Sequence, residues 1–203
     1  MSTKSRILQE ALNQFNQLGL HQVGVRDIAK ALKMSPGNMS YHFPKKEDLL
    51  LALLNDYSSQ NQRYRDDFLN SEVTMNSFFN LFEKIFNNQF AYRGVLTELV
   101  EVNRILSVAT GYDLTEGQAA RMKVFETIVE RLQQEGHIQP EPEVKDQLVS
   151  FISVFGRFWI ADAFLMRSGE PQHTVVSHYL NVFRNQVLSF ATEKGVTSYS
   201  DQD

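Results

Sequence analysis

The sequence predicts an all-α protein of 203 residues, long enough for one large or two small domains. Apolar residues recur at i, i+3, i+4 and i+7, the spacing of amphipathic helices. Beyond about residue 70 no stretch carries a strand signal. Gly19 and Gly136 each follow a periodic run, as glycines at helix ends do, and Gly94 interrupts another.

The first helix is predicted over residues 3–18. Its apolar side chains form one stripe: Ile7, Leu8, Ala11, Leu12, Phe15 and Leu18. Gly19 suits the C-cap of this helix. This apolar face can pack against the two helices that follow.

Two short helices come next. The first has four apolar residues on one face: Val25, Ile28, Ala29 and Leu32. The second begins at Pro36, where a missing N–H costs nothing, directly after Ser35, a good N-cap. It ends near Phe43, because Pro44 cannot continue a helix. This layout is that of a helix-turn-helix.

The second short helix is predicted to bury Met39 and Phe43. Its remaining side chains point outward: Gly37, Asn38, Ser40, Tyr41 and His42. Asn can bond base edges, and Ser, Tyr and His can reach phosphates. The next helix begins with Lys45 and Lys46, although the dipole of a helix disfavours positive charge at its N-terminus. Two lysines at this place are better explained if phosphates lie in front of them. Short helical pairs of this kind also occur in proteins that bind no DNA, so the pattern alone leaves both interpretations open.

Residues 7–54 together resemble the amino-terminal domain of the TetR family of bacterial transcriptional regulators. The residues that carry the resemblance are Ala11, Phe15, Gly19, Val25-Arg26-Asp27-Ile28-Ala29, Ser35-Pro36-Gly37, Tyr41-His42-Phe43 and Lys46. The resemblance is strong over roughly the first quarter of the chain. Over the remainder it extends only to the general helical layout.

The resemblance implies a three-helix helix-turn-helix DNA-binding domain at residues 1–47. A larger helical domain for effector binding and dimerisation would follow at residues 48–203. The DNA-contacting positions that it implies are Arg26, Ser35, Gly37, Asn38, Ser40, Tyr41, His42, Lys45 and Lys46.

Three residues depart from the family pattern. Ser40 replaces a frequent Tyr, and Gly24 replaces the usual Ser or Thr N-cap. Lys33 replaces the frequent turn glycine, at a cost of about 1 kcal/mol if its φ is positive. None of these changes removes the motif, but together they leave the target sequence open.

Composition excludes several classes of site. The chain contains no cysteine, so disulfides, thiolate zinc sites and cysteine nucleophiles are excluded. Its five histidines are not closely paired, and we predict neither a metal nor a cofactor. The start is too polar for a signal peptide, and no apolar run approaches the ~20 residues needed to span a membrane. A cytoplasmic location is expected.

Charge is distributed unevenly along the chain. The net charge is −4, whereas a nucleic-acid-binding domain is usually basic. Residues 1–50 hold seven Lys and Arg against four Asp and Glu, and residues 51–203 hold thirteen against twenty. The positive charge therefore belongs to the helix-turn-helix segment, and DNA binding should be salt-sensitive.

Further helices are predicted from Lys45 onward and over residues 74–92, 95–109 and 114–135. A helix over residues 143–167 is apolar on nearly every side, so it must be buried on several faces. The last helix, over residues 174–192, carries one apolar seam. The resemblance implies a homodimer through these two helices, which would form a four-helix interface with the partner.

Asp162 lies within the apolar arc of the helix over residues 143–167. A buried carboxylate needs partners, and two interpretations are open. Asp162 either bonds an Arg or Tyr of another helix, or it lines an effector pocket with Trp159 and with residues near Tyr92, Arg93 and Arg104. Such a pocket would suit a small hydrophobic or amphipathic effector.

The leading hypothesis is a homodimeric, ligand-responsive regulator, a repressor in most of the resembled family. Its two recognition helices would enter successive major grooves of a palindromic operator, about 34–36 Å apart. One alternative is a DNA-binding dimer without an effector. The other is a small helical enzyme, but Asp162, His137, His173 and His178 show no catalytic spacing.

Overall fold

Eleven α-helices and one short 3-10 helix make up the part of the chain that the computed structural model describes, residues 2–111 and 114–200. The 3-10 helix is Leu20–Gln22. The α-helices are α1 Thr3–Leu18, α2 Val25–Ala31, α3 Pro36–His42, α4 Lys46–Leu69, α5 Met75–Ala91, α6 Arg93–Leu96, α7 Leu99–Thr110, α8 Leu114–Gln134, α9 Pro142–Met166, α10 Gln172–Leu188 and α11 Glu193–Ser200. Within these residues the only β-type pairing is an isolated bridge between Ile138 and Ala191. The prediction of an all-α fold is confirmed.

Two helices were not predicted. The helix expected over residues 95–109 is Leu99–Thr110, and the four-residue α6 precedes it. The helix expected over residues 174–192 ends at Leu188, and α11 follows. Both α6 and α11 are too short for a periodic pattern, and contacts distant in sequence hold them in place.

The contacts divide the chain into two units. The first unit comprises Met1–Gln60 and Ala91–Leu114, and the second comprises Asn61–Phe90 and Thr115–Asp203. The helix α4 contributes residues to both units, and α6 and α7 belong to the first. The functional boundary expected between residues 47 and 48 stays a prediction.

A close approach between α1 and α6 marks the interior of the first unit. A Cβ added at Gly94 would lie 2.4 Å from the backbone carbonyl of Phe15, so no side chain fits there. The Asn16 side chain fastens the contact, because its Nδ2 donates to the Ala91 carbonyl at 2.8 Å and its Oδ1 accepts the Gly94 amide at 2.7 Å. Gly94, which the sequence marked only as a break, is thus required by packing.

Aromatic side chains fill the core of the second unit. The α5 rings of Phe78, Phe82 and Phe86 meet Phe183 of α10, with ring centroids 4.4 Å apart for Phe82 and Phe183. The Trp159 ring stacks on Phe86 at 4.7 Å. We use the name aromatic cluster for the rings of Phe78, Phe82, Phe86, Trp159 and Phe183.

The last helix of the second unit is held by the loop before α9. The buried His137 contacts the Ser198 hydroxyl at 3.1 Å through Nδ1, and the Thr192 amide donates to the His137 carbonyl at 3.0 Å. A Cβ at Gly195 would overlap that same carbonyl, so α11 approaches the loop as closely as a glycine allows. Burial, followed by the charge of Lys194, lowers the pKa of His137.

The helix α9 is long and apolar enough, by length and composition alone, to cross a membrane. This differs from the expectation that no run approaches that length. Its inner face packs in the second unit through Ile152, Trp159 and Ile160, all buried. Its outer face is exposed in the single chain, with Val154 at 56%, Phe158 at 50% and Leu165 at 75% exposure.

Candidate nucleic-acid interface

The helix α3 is positioned by its two ends and by two buried side chains. The Ser35 hydroxyl accepts the Asn38 amide at 3.2 Å, and Pro36 occupies the first turn. Phe43 is extended, with φ −142°, so the helix stops before Pro44. Met39 and Phe43 are buried as predicted. A helix of seven residues is not stable alone, so this packing is what holds it.

The outward face of α3 carries the predicted contact residues side by side. Gly37, Asn38 and Ser40 are exposed, and Tyr41 is 83% exposed, which is unusual for so large a ring. His42 is half-buried, and its ring meets Tyr41 edge-on at 5.2 Å. The structure therefore brings these five residues to one surface that contains donors, acceptors and an aromatic ring.

The turn between α2 and α3 has the strained residue that the sequence indicated. Lys33 has φ 53°, the left-handed conformation, which costs a non-glycine residue about 1 kcal/mol. The Met34 amide closes the turn on the Ala29 carbonyl at 2.9 Å. Arg26 is exposed on α2, and the Asp27 carboxylate accepts the Gly24 amide at 2.9 Å where a capping side chain is missing.

The two lysines at the start of α4, Lys45 just before it and Lys46 as its first residue, behave differently. Lys45 is exposed, and its amide donates to the Asp48 carboxylate at 2.9 Å. The Lys46 ammonium instead donates to the Leu20 carbonyl and lies 5.6 Å from the centre of the Phe15 ring. Burial lowers the pKa of Lys46, although the carboxylates of Glu98 and Glu47 act in the opposite direction. A phosphate contact by Lys46 stays a prediction that this geometry does not favour.

The five effector-pocket candidates lie in different units. Tyr92, Arg93 and Arg104 belong to the first unit, and Trp159 and Asp162 belong to the second. The Tyr92 hydroxyl donates to Asp56 at 2.6 Å. Arg104 pairs with Glu101 at 2.6 Å on the exposed surface of α7.

In the second unit, the Trp159 indole N–H donates to the Gln89 side-chain oxygen at 2.6 Å. Asp162 accepts the Tyr179 hydroxyl of α10 at 2.5 Å, which is the simpler of the two interpretations of that carboxylate. Burial, followed by the Asp162 contact, raises the pKa of Tyr179 to about 12. Asp162 is exposed rather than buried, because it lies on the outer side of α9 near Phe158 and Leu165.

Sequence reasoning missed two clefts. One, of about 560 Å³ in the second unit, is lined by Tyr64, Asn80, Glu83, Lys84, Asn87 and Asn88. The other, of about 660 Å³, lies in the first unit between α1 and α4. Its α4 residues Asp48, Leu51, Ala52, Asn55 and Asp56 share one helical face, a pattern that the sequence contained.

A metal site and a paired histidine and carboxylate are two arrangements on which an enzyme can rely. Across residues 2–111 and 114–200, no three His, Asp or Glu side chains are placed to hold a metal ion. His42 shares the 660 Å³ cleft with Ser5 and Asp48. Ser5 bonds Ser2 and Asp48 bonds the Lys45 amide, and no hydrogen bond joins His42 to either side chain in this described cleft.

Comparison with known proteins supports the helix-turn-helix assignment. Residues 7–53 match the family of bacterial regulatory proteins, tetR family. The chain is 35% identical over 95 residues to the HTH-type transcriptional regulator YuxN of Bacillus subtilis, covering 47% of this chain and 28% of that protein. It is 35% identical over 65 residues to UidR of Escherichia coli K12, covering 32% and 33%. The matches thus span about a third or less of these curated relatives.

The fold comparison extends over nearly the whole chain. A TetR-family transcriptional regulator from Marinobacter aquaeolei VT8 matches with a TM-score of 0.80 at 23% identity, covering 95% of this chain and 93% of that one. The ketosteroid transcriptional regulator KstR2 of Mycobacterium tuberculosis matches with a TM-score of 0.71 at 20% identity, covering 95% and 96%. Residues 7–53 of this chain therefore match the TetR family in sequence, and the chain has the fold of TetR-family transcriptional regulators.

Proposed function

We propose that this protein is a homodimeric transcriptional repressor that binds a palindromic operator and is released by a small hydrophobic or amphipathic effector. The observation that carries the proposal is the outward face of α3, where the residues that can read or hold DNA are exposed while Met39 and Phe43 anchor the helix. The proposal includes a cytoplasmic location and no enzymatic activity.

Gly37 gives independent support to DNA binding. A Cβ at this position would meet no atom within 4 Å, and its backbone is helical. The folded chain therefore has no need of a glycine there, and alanine would favour the helix by up to about 1 kcal/mol. A close approach of the α3 backbone to a DNA groove explains the missing side chain. Asn38, one position on, would then bond base edges, while Ser40, Tyr41 and Lys45 would hold phosphates.

The outer face of α9 supports the dimer. Val154, Phe158 and Leu165 follow the spacing of one helical stripe and are half or more exposed. Val182 of α10 is also exposed. Contiguous apolar surface of this kind marks protein contacts. A two-fold interface through α9 and α10 would cover it, with the same patch used on both subunits.

The aromatic cluster supports an apolar effector in the second unit. Phe125, Phe151 and Phe155 extend it toward the surface, because all three rings are only half-buried. KstR2 is named a ketosteroid regulator, but at 20% identity that likeness carries only the fold. An effector can release DNA only by binding one arrangement of the two DNA-binding domains better than the other.

One observation favours the alternative of a dimer without an effector. The rings of Phe78, Phe82 and Phe183 are in direct contact, with centroids 4.4–6.1 Å apart. A ligand among these three rings would have to displace at least one of them. Effector screening against the DNA complex separates the two proposals, because the alternative predicts that no small molecule changes operator affinity.

Selection of bound sequences from random duplex DNA by the purified full chain tests the proposal. Its mass in solution should be measured in parallel. We expect one enriched palindrome and the mass of a dimer, or of two dimers on one site. A failure to enrich any motif, or binding by a monomer, would overturn the proposal.

A further inference from the structure

The cleft in the first unit has no part in the proposed function. It lies between α1 and the first half of α4, and the end of α3 forms its third wall. Its volume, about 660 Å³, falls in the range of roughly 300–1,000 Å³ typical of small-molecule sites. It therefore has room for a ligand of its own.

The floor of the cleft is apolar and partly open to solvent. Leu8 of α1 faces it from one side, and Leu51 and Ala52 of α4 face it from the other. All three are half-buried, whereas Leu12 and Phe43 beneath them are buried. An apolar chain laid along this floor would cover surface that water now contacts, which is favourable.

Two carboxylates line the same cleft. Asp48 and Asp56 are eight residues apart on α4, which places them on one side of the helix about 12 Å apart along its axis. Asp48 accepts the Lys45 amide at 2.9 Å, and Asp56 accepts the Tyr92 hydroxyl at 2.6 Å. Among the described residues, neither carboxylate has a basic nitrogen within 4.0 Å.

The one lysine in the cleft wall does not neutralise them. The Lys4 ammonium lies 5.7 Å from the centre of the Phe43 ring, a cation–π distance. It thereby contacts the ring and pairs with neither carboxylate. The cleft therefore presents an apolar floor with a negative charge toward each end.

We propose that this cleft binds an elongated dication whose two charges, about 12 Å apart, are joined by an apolar spacer, as in long-chain diamines. One ammonium would bond Asp48 and the other Asp56, and the spacer would cover Leu8, Leu51 and Ala52. Charge-assisted hydrogen bonds fix the two ends. A neutral chain of the same length could use only the floor.

This site is linked to DNA binding through α3. His42 and Phe43, at the carboxyl end of the proposed recognition helix, form part of the cleft wall, so a ligand there contacts the element that meets DNA. If the ligand changes DNA affinity by some factor, DNA changes ligand affinity by the same factor. The direct binding test below uses no DNA, so its failure would not touch the proposed function.

Calorimetric titration of the full-length chain with three matched probes tests the proposal. The probes are 1,8-diaminooctane, octylamine and octane-1,8-diol, which carry two, one and no positive charges. We expect one diamine bound per chain, with octylamine about fivefold weaker and the diol weaker again by a similar factor. Equal affinity for the diamine and the diol, or no saturable binding of the diamine, would overturn the proposal.

Two isosteric variants locate the site. Asp48→Asn and Asp56→Asn each keep an oxygen that can accept the existing hydrogen bond, and each should weaken the diamine about fivefold. Asp67→Asn, an exposed carboxylate farther along α4 and outside the cleft, is the matched control and should change nothing. Unchanged affinity in both cleft variants, or an equal loss in Asp67→Asn, would contradict the assignment. If a variant fails to fold, the probe series on the unmodified chain still decides the question.

Discussion

The two units of the chain are stabilised in different ways. In the first unit a few polar and backbone contacts fix the geometry, such as the Asn16 amide bonded to both Ala91 and Gly94. In the second unit a set of large rings shares one interior, and most rings have several aromatic neighbours, as Phe183 does. A contact between backbones leaves no room for adjustment, whereas an aromatic core can repack around a changed member.

The difference indicates where each unit is vulnerable. In the first unit a single added methyl group should be damaging, because it would meet backbone atoms that cannot rotate away. In the aromatic cluster of the second unit only the loss of a whole ring should cause comparable damage, although Gly195 of that unit meets the His137 carbonyl as closely as Gly94 meets Phe15. Four sets of substitutions and one pH experiment, taken from the largest expected effect to the smallest, sharpen this contrast.

Removing a ring from the aromatic cluster should have the largest effect. Phe183→Ala should lower the free energy of unfolding by about 3–5 kcal/mol, because it leaves a cavity among several rings. Phe183→Leu should cost about 1 kcal/mol, since the neighbours can close most of the gap. Urea denaturation measures both. Similar costs for the two variants would show that the second unit is as intolerant as the first.

Gly94→Ala should come next, at about 2–3 kcal/mol by the same measurement. The added Cβ would lie 2.4 Å from the Phe15 carbonyl, so α1 and α6 must separate. The control is Gly37→Ala, where a Cβ meets nothing within 4 Å. That variant should keep or gain stability yet lose operator affinity. A stable Gly94→Ala protein would mean that α6 moves freely on α1.

Trp159→Phe should cost about 1–2 kcal/mol. The phenyl ring keeps an aromatic face for Phe86 but is smaller than the indole, and the buried Gln89 oxygen loses the indole N–H that now lies 2.6 Å away. Gln89→Leu combined with Trp159→Phe should recover part of the loss, because the Gln89 oxygen left without a donor is removed, although the Gly156 carbonyl then loses the Gln89 amide N–H. No recovery in the double variant would assign the loss to ring size instead.

The lysine pair at the start of α4 should separate DNA binding from stability. Lys45→Ala should reduce the salt dependence of operator binding by about one unit of slope and weaken all DNA sequences alike. Lys46→Ala should lower thermal stability instead, because its ammonium bonds the Leu20 carbonyl. A flattened salt slope in Lys46→Ala with unchanged stability would restore Lys46 as a phosphate contact.

The smallest expected effect is a dependence on pH through His137. Burial lowers its pKa below the usual 6.5, so the folded state binds fewer protons than the unfolded state between the two values. This contribution to stability is therefore complete above about pH 6.5 and is lost as the pH falls through the lowered pKa. Unfolding free energies at pH 7 and pH 5 should differ less in His137→Asn than in the unmodified chain. An equal difference in both proteins would exclude His137 as the cause.

The sequence predicted what depends on local chemistry. The helix α3 starts at Pro36 because Ser35 caps it, and it ends before Pro44 because proline cannot continue a helix. The burial of Met39 follows from the periodicity of apolar residues, and Lys33 has the positive φ that its turn position suggested. These features need no knowledge of distant residues.

The sequence could not predict contacts between residues that lie far apart along the chain. The contact of Lys46 with the Leu20 carbonyl requires the position of a 3-10 turn 26 residues away. Gly94 looked like a break, because the Phe15 backbone that excludes its side chain lies far from it along the chain. Tyr92 and Trp159, grouped by residue type, proved to belong to different units.

The open space around Gly37 also bears on how a protein of this kind can change its target. Asn38, Ser40 and Tyr41 share that surface and are exposed. The side chains at these three positions and at Gly37 are therefore not needed for packing of the core. Under the proposed function, mutations there alter which genes are recognised while leaving the scaffold intact. Duplicated copies could then diverge in target one substitution at a time, with no need for compensating changes elsewhere in the molecule.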